Sequence, residues 1–161
     1  MNIENTLKPY GVPENLIQEI RDLIALDSLT GLYNRRFFEE ALTNALAVAE
    51  RYKQPLSLIL LDIDDFKSIN DRHGYTAGDQ ALKTFAQMLN DTCREADIVC
   101  RYGGDEFAVI LTNTTKAGAI ILRERIQSAL PPNLQASAGI AAYPGKDLFL
   151  RAETEMRKYK K

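Results

Sequence analysis

One histidine, His73, serves a chain of 161 residues. That excludes a histidine-rich zinc site, and a Ser-His-Asp triad would have to use this one imidazole as its base. Cysteine is scarce too. Cys93 and Cys100 are the only two, and they form no CxxC pair. They are expected as reduced thiols of a cytosolic protein. Neither sign of charge dominates: 20 basic and 22 acidic side chains leave a formal net charge of -2. There is no global basic field for a nucleic-acid polymer. The apolar run Leu56–Leu61 is too short to span a bilayer, and no signal peptide opens the chain. The expectation is a cytoplasmic protein without a membrane segment. Internal repeats and low-complexity linkers are missing, so one domain with a short extension is expected. A chain of this length buries roughly 68–70% of its unfolded surface, so folding needs neither metal nor disulfide.

What is present centres on Arg101-Tyr102-Gly103-Gly104-Asp105-Glu106-Phe107. β-like runs flank it, Ile98-Val99-Cys100 before and Phe107–Leu111 after. Gly103-Gly104 reads as a two-residue hairpin loop using the positive φ open to glycine. Asp105 and Glu106 then lie at the hairpin tip, where paired carboxylates suit a hard cation or a proton transfer. Solvated acids on an ordinary hairpin are the plainer alternative.

Along the chain, residues 1–12 are polar and read as a loose start. Pro13 suits the first turn of a helix. Leu16, Ile17, Ile20, Leu23 and Ile24 make an apolar stripe, which fits a helix packed on its own domain or a dimerising one. Asn34 is a plausible N-cap. A long helix over 35–53 follows, with Phe37, Phe38, Ala41, Leu42, Ala45, Leu46 and Val48 inward. Leu56–Ile63 reads as a central strand. It ends in Asp62-Ile63-Asp64-Asp65, and Phe66 opens a helix whose first amides are free donors. Carboxylates beside such amides offer a cation site and a phosphate site together, with Lys67 adding positive charge. Asp64 or Asp65 could instead simply cap the helix, but Asp62 comes too early for that. A glycine-bracketed turn, 73–79, leads to a helix over about 77–92 with Ala81, Leu82, Phe85, Ala86 and Leu89 inward. Asp79 there can accept from guanine N–H groups, and Asn70 can read the same base. After the hairpin, Asn113-Thr114-Thr115 caps a helix over about 115–129. A strand over 134–142 and a terminal helix with Phe149, Ala152, Met156 and Tyr159 inward complete the chain.

The fold class is therefore α+β. Stripped of extras the order is βαββαβ, an antiparallel sheet with helices on one face. Asp62, Asp105 and Glu106 then come together. Such carboxylates raise one another's pKa unless a cation neutralises them, and two oxygen-ligated divalent ions bridging a triphosphate fit there.

These residues resemble the GGDEF family of diguanylate cyclases, which make cyclic di-GMP from two GTP. The likeness covers Asp27 to the end of the chain and leaves 1–26 as an N-terminal extension or linker helix. It is carried by the 27–36 stretch (DSLTGLYNRR), 62–71 (DIDDFKSIND), Gly78-Asp79, 101–107 (RYGGDEF) and 137–141 (SAGIA). The resemblance implies a palm-like nucleotidyl cyclase fold with a central antiparallel sheet flanked by helices. It implies two Mg²⁺ (or Mn²⁺) ions held by Asp62, the Ile63 carbonyl, Asp105 and Glu106. Asp105 is the implied base for the 3′-hydroxyl, with Glu106 and Lys67 assisting. The implied substrate contacts are amides of Asp65, Phe66 and Lys67, the loop Gly103-Gly104, the guanine readers Asn70 and Asp79, and Lys160. Two domains, each holding one GTP, must face each other, so the implied active state is a homodimer. Arg94 and Asp97 resemble the family's RxxD inhibitory product site; a local ion pair is the plainer alternative.

Three departures stand out. Tyr75 occupies the place of a second histidine. The segment 144–151 is short. The terminal motif runs Ala152–Lys160 without the arginine expected after it. An active cyclase is the leading reading. A weak or inactive domain that binds GTP or cyclic di-GMP is the alternative, and a mixed guanine–adenine product is a third that Asp79 argues against.

Overall fold

Every position of Leu56–Ile63 is buried, so this run forms the central strand, β1. The computed structural model describes residues 8–145 and 147–160, without the side chain of Arg21. The other strands are β2 (Ile98–Arg101), β3 (Glu106–Thr112) and β4 (Ala136–Ala142), in spatial order β2-β3-β1-β4. Every pairing is antiparallel. The helices are α1 (Glu14–Ala25), α2 (Arg35–Tyr52), α3 (Phe66–His73), α4 (Tyr75–Thr92), α5 (Lys116–Ala129) and α6 (Leu148–Arg157). The βαββαβ order is thus present.

Side-chain alternation along β1 divides the core in two. Ile59, Leu61 and Ile63 join Phe107, Val109 and Ile140 against Leu82, Phe85 and Leu89 of α4 and Ile126 of α5. Leu58 and Leu60 join Ala108 and Ile110 against Phe38 of α2 and Ala152 and Met156 of α6. The second layer corrects the expectation of helices on one face: α2 and α6, set aside as extras, cover the other. Gly139 is what lets α6 close in. A Cβ there would overlap the Ala152 carbonyl and the Met156 amide, and would lie 2.8 Å from Met156 Cα.

Most local signals are realised. The Asn34 side chain accepts from Phe37 N and caps α2, and the Thr115 side chain accepts from Gly118 N and caps α5. Helix α4 starts at Tyr75, earlier than expected, because Gly74 alone, at φ +82°, makes the break. Val48 is exposed and Ala49 buried in its place, and Tyr159 lies exposed beyond the end of α6, whose anchor is Leu148. Residues 1–7 of the expected loose start lie outside the described residues; Lys8–Tyr10 form a 3₁₀ turn.

Helix α1 buries Ile17 but exposes Leu16, Ile24 and above all Leu23, which is 82% exposed. Its stripe is therefore not absorbed by this domain. Tyr33 covers the outer edge of β2: its amide donates to the Val99 carbonyl at 3.3 Å, and its carbonyl accepts from Arg101 N at 2.8 Å. That removes part of an open strand edge. Both cysteines are free, and burial pushes each thiol up to about 12, helped at Cys93 by the Asp97 carboxylate. No described helix is long and apolar enough to cross a membrane.

Candidate active site at the strand ends

Asp62 is the penultimate residue of β1 and 1% exposed. The register sets it opposite Glu106 of β3 on one side and Ser137 of β4 on the other. Asp105 joins through its backbone, its carbonyl accepting from Ile63 N at 3.1 Å. The strand ends thus gather Asp62, Asp105 and Glu106 as expected. The Asp62 carboxylate is held on one side only. Oδ2 accepts from Lys160 Nζ at 2.8 Å, while Oδ1 is buried without a partner.

Electrostatics follow from this packing. Burial pushes the Asp62 carboxyl up, Lys160 pulls it down, and the Asp105 and Asp64 carboxylates add to the rise; the net direction is upward. Glu106 also rises, through burial first and then the Asp62 and Asp105 charges. Lys160 is raised in turn, chiefly by its hydrogen bond to Asp62. Both carboxyls are thus raised, by burial first and by neighbouring carboxylates second.

Among the described residues no three His, Cys, Asp or Glu side chains form a metal-binding group. The Lys160 ammonium supplies the positive charge at Asp62 instead. The donor chemistry nonetheless fits a hard cation: carboxylate oxygens, an adjacent backbone carbonyl at Ile63, and one buried carboxylate oxygen lacking a donor.

The residues expected to meet phosphate lie at the start of α3. Asp65 occupies the cap position in the left-handed region, φ 53°, and its side chain makes no cap hydrogen bond. Asp64 does not cap either. Its Oδ1 accepts from Ser137 Oγ at 2.7 Å. The plain capping expectation is thus corrected: the Ser68 amide donates to the Asp65 carbonyl at 2.8 Å, and neither carboxylate takes up the Phe66 or Lys67 amide. Lys67 is exposed on this first turn. Asn70, one turn on, rests on Gly78 so closely that a Cβ at 78 would overlap its Oδ1. Asp79 follows directly and is exposed, so α3 and α4 bring the two candidate base readers side by side.

The hairpin differs from its expectation. The loop is the four residues between Arg101 and Glu106. The amides of Tyr102 and Gly103 both donate to the Glu106 carbonyl, at 2.8 and 3.1 Å. Neither Gly103 nor Gly104 has positive φ. The Glu106 side chain packs over Gly103: a Cβ there would stand 2.6 Å from Glu106 Oε2 and would push that carboxylate aside.

The model of the family described as "Diguanylate cyclase, GGDEF domain" matches residues 24–161. The chain belongs to the GGDEF family. Diguanylate cyclase DgcS of Shewanella oneidensis is 42% identical over 112 residues, 70% of this chain and 38% of that protein. The response regulator PleD of Caulobacter vibrioides is 42% identical over 113 residues, 70% of this chain and 25% of that protein. The chain therefore spans roughly a quarter to two fifths of the length of these relatives. Among solved structures, the coiled coil and GGDEF domain of DgcB from Caulobacter crescentus, in complex with c-di-GMP, superposes with a TM-score of 0.84 at 27% identity. It covers 96% of this chain and 89% of that one. The DgcB GGDEF domain alone, also with c-di-GMP, gives 0.78 at 28% identity and covers 83% and 86%. The α+β class with its antiparallel sheet flanked by helices is the fold of these GGDEF domains.

Within this GGDEF domain, Arg94 and Asp97 sit beyond the far end of β2 from the hairpin. Asp97 Oδ2 accepts from the Arg94 amide at 2.9 Å, and among the described residues no ion pair joins the two side chains. The plainer ion-pair alternative is not what the structure contains. Arg94, Asp97 and Arg125 line one cavity of about 220 Å³. Arg125 escaped the sequence reading because it lies on α5. Ser137 escaped as well. Its hydroxyl lies 2.7 Å from Asp64 Oδ1 and 3.0 Å from the Tyr159 carbonyl, fastening the chain end that carries Lys160.

Proposed function

We propose that residues 27–161 form the catalytic domain of a diguanylate cyclase that condenses two GTP into cyclic di-GMP, with 1–26 as a linker. The observation that carries this is the buried Asp62, with one unpartnered oxygen, set against Glu106 and Asp105 beside the uncapped start of α3. Asp62, the Ile63 carbonyl, Asp105 and Glu106 would hold two Mg²⁺ or Mn²⁺ ions. Those ions would neutralise the triphosphate and activate the 3′-hydroxyl.

The chain's own groups do the positioning. The amides of Asp65, Phe66 and Lys67 face the phosphates, with the Lys67 ammonium, the Gly103-Gly104 loop and Lys160 around them. Asp105 takes the proton of the 3′-hydroxyl. Asn70 and Asp79 read the guanine edge. Each 3′-hydroxyl attacks the α-phosphate held by a second copy, breaking its bond to the β-phosphate and releasing pyrophosphate, so the active unit is a homodimer. The exposed stripe of α1 supports that, since Leu23 lacks cover in the single chain. Arg94 and Asp97 hold product, with Arg125 as a second cation for its phosphates.

One observation favours a weaker, binding-only domain: Lys160 already pairs with Asp62. On that reading a cation would reach Asp62 through Oδ1 while Lys160 stays on Oδ2, unless substrate phosphates draw the ammonium away.

Asp79→Ala tests the substrate assignment. Loss of the acceptor leaves guanine donors unpaired, which costs about 1–3 kcal/mol, or roughly 5- to 150-fold in GTP affinity. Calorimetry with GTP and ATP should show that loss for GTP alone. Equal losses would remove Asp79 from the base site.

A further inference from the structure

Arg101 ends β2, and its side chain is 15% exposed. Its guanidinium faces two ways. Nη1 donates to Asp27 Oδ1 at 3.0 Å and Oδ2 at 3.3 Å. Nε and Nη2 donate to the Gly104 carbonyl at 3.2 and 2.7 Å. Gly104 precedes Asp105, whose carbonyl is in turn tied to Ile63 N at 3.1 Å. A planar fork gripping fixed acceptors on both sides has essentially one position.

Asp27 belongs to the turn that ends α1. Its carboxylate also accepts from Thr30 N and Thr30 Oγ1, at 2.9 and 2.7 Å. Burial works to raise the Asp27 carboxyl, but the hydrogen bonds from Thr30 and Arg101 outweigh it and hold it below its ordinary value. The last carbonyls of α1 are held by Asn34: Ala25 O by its amide at 2.7 Å, Ile24 O by Nδ2 at 2.6 Å. Asn34 in turn caps α2. One continuous chain of hydrogen bonds therefore joins the end of α1, the Asp27 turn, the Arg101 guanidinium and the hairpin.

We propose that Arg101 is a positioning residue that couples the direction of α1 to the placement of the Gly103–Asp105 loop. Through it a movement of the N-terminal helix adjusts the carboxylate of Asp105 without touching substrate. The effect on turnover rests on the function proposed above; the effect on loop order does not.

The test uses the full chain with Asp27→Asn, Arg101→Lys and the double variant. Asp27→Asn removes the charge far from the hairpin. Arg101→Lys keeps the charge but loses the fork. Residue-resolved amide exchange is followed at Tyr102, Gly103 and Ile63, whose amides report the loop, and at Val109 and Ile110 within β3. Each single variant should speed exchange at the loop amides about tenfold and leave the β3 interior unchanged. The double should do no more than the stronger single, because both cut one chain of contacts. In turnover, kcat should fall about tenfold while KM for GTP stays within about threefold. Faster exchange confined to Thr30 and Gly31 in Asp27→Asn would overturn the coupling, and so would a uniform rise across the sheet. If wild-type protein forms no cyclic di-GMP, the proposed activity fails, and the exchange data still decide the clamp.

Discussion

Gly78→Ala should weaken GTP binding without harming the fold. The added Cβ would overlap Asn70 Oδ1 and approach Asn70 Cγ at 3.0 Å and Phe66 Cζ at 3.2 Å. Phe66 and Asn70 both belong to α3, and the far end of Asn70 is the softer partner, so its amide must swing away. Holding it off its preferred rotamer costs about 0.5–1.5 kcal/mol. Alanine in a helix recovers about 1 kcal/mol over glycine. The two nearly cancel, leaving a melting temperature within about 2 °C of wild type. The base contact does not cancel. Removing the Asn70 amide from the guanine edge costs about 1–3 kcal/mol, roughly 5- to 150-fold in KM. Initial rates against GTP concentration, beside a thermal melt, measure both terms. A variant with wild-type KM would refute the placement of Asn70 at the base. A variant that melts far lower would show that Phe66, not Asn70, takes the collision.

Gly139→Ala collides with the backbone of α6, which cannot rotate away, so it should cost about 1–3 kcal/mol or more, a melting temperature lower by roughly 2–12 °C; an unchanged melt would contradict the close approach. Asp62→Asn should be at least as stable as wild type at pH 7. The folded Asp62 carboxyl titrates above its ordinary 3.8, so the wild type loses stability as pH rises through that raised value. Half-exposed Lys160 turns to water, and the advantage of the variant should vanish as pH falls toward 3.8, as melts from pH 3 to 8 (roughly spanning the carboxylate range) will show. Asp27→Asn carries the opposite sign. Its carboxylate is held low, so the stability it contributes is present above the ordinary carboxylate value and lost as pH falls through the depressed one. Arg94→Ala should weaken cyclic di-GMP about ten- to a hundredfold, the worth of charge-assisted bonds, with the initial rate unchanged. Equal calorimetric affinity for product in both proteins would return Arg94 to a surface role.

The elements were legible wherever local chemistry decides them. A nearly all-apolar run gives β1, Asn34 and Thr115 announce the helices they cap, and the α4 core positions follow the helical period. The gathering of Asp62 with Glu106 also followed, because the strand order fixes their register. Contacts made across long sequence separations were not legible. Ser137 reaches Asp64 across 73 positions, Arg101 reaches Asp27 across 74, and Lys160 reaches Asp62 across 98. No local pattern encodes these pairs. Gly103-Gly104 misled for a related reason. Glycine signals either positive φ or close approach, and the four-residue loop needs no positive φ at either glycine. The split of the core into two faces was missed because α2 and α6 were counted as extras rather than as cover for the even-numbered side chains of β1.

The most direct test of the proposed chemistry is product formation from GTP. Purified protein is incubated with GTP and Mg²⁺, then with chelator in place of Mg²⁺, and the nucleotides are separated. Asp105→Asn, folded by its melt, serves as the blank. Cyclic di-GMP formed only by the wild type and only with the metal is the expected result. No product from folded wild type that binds GTP would contradict the cyclase and leave a nucleotide-binding domain in its place.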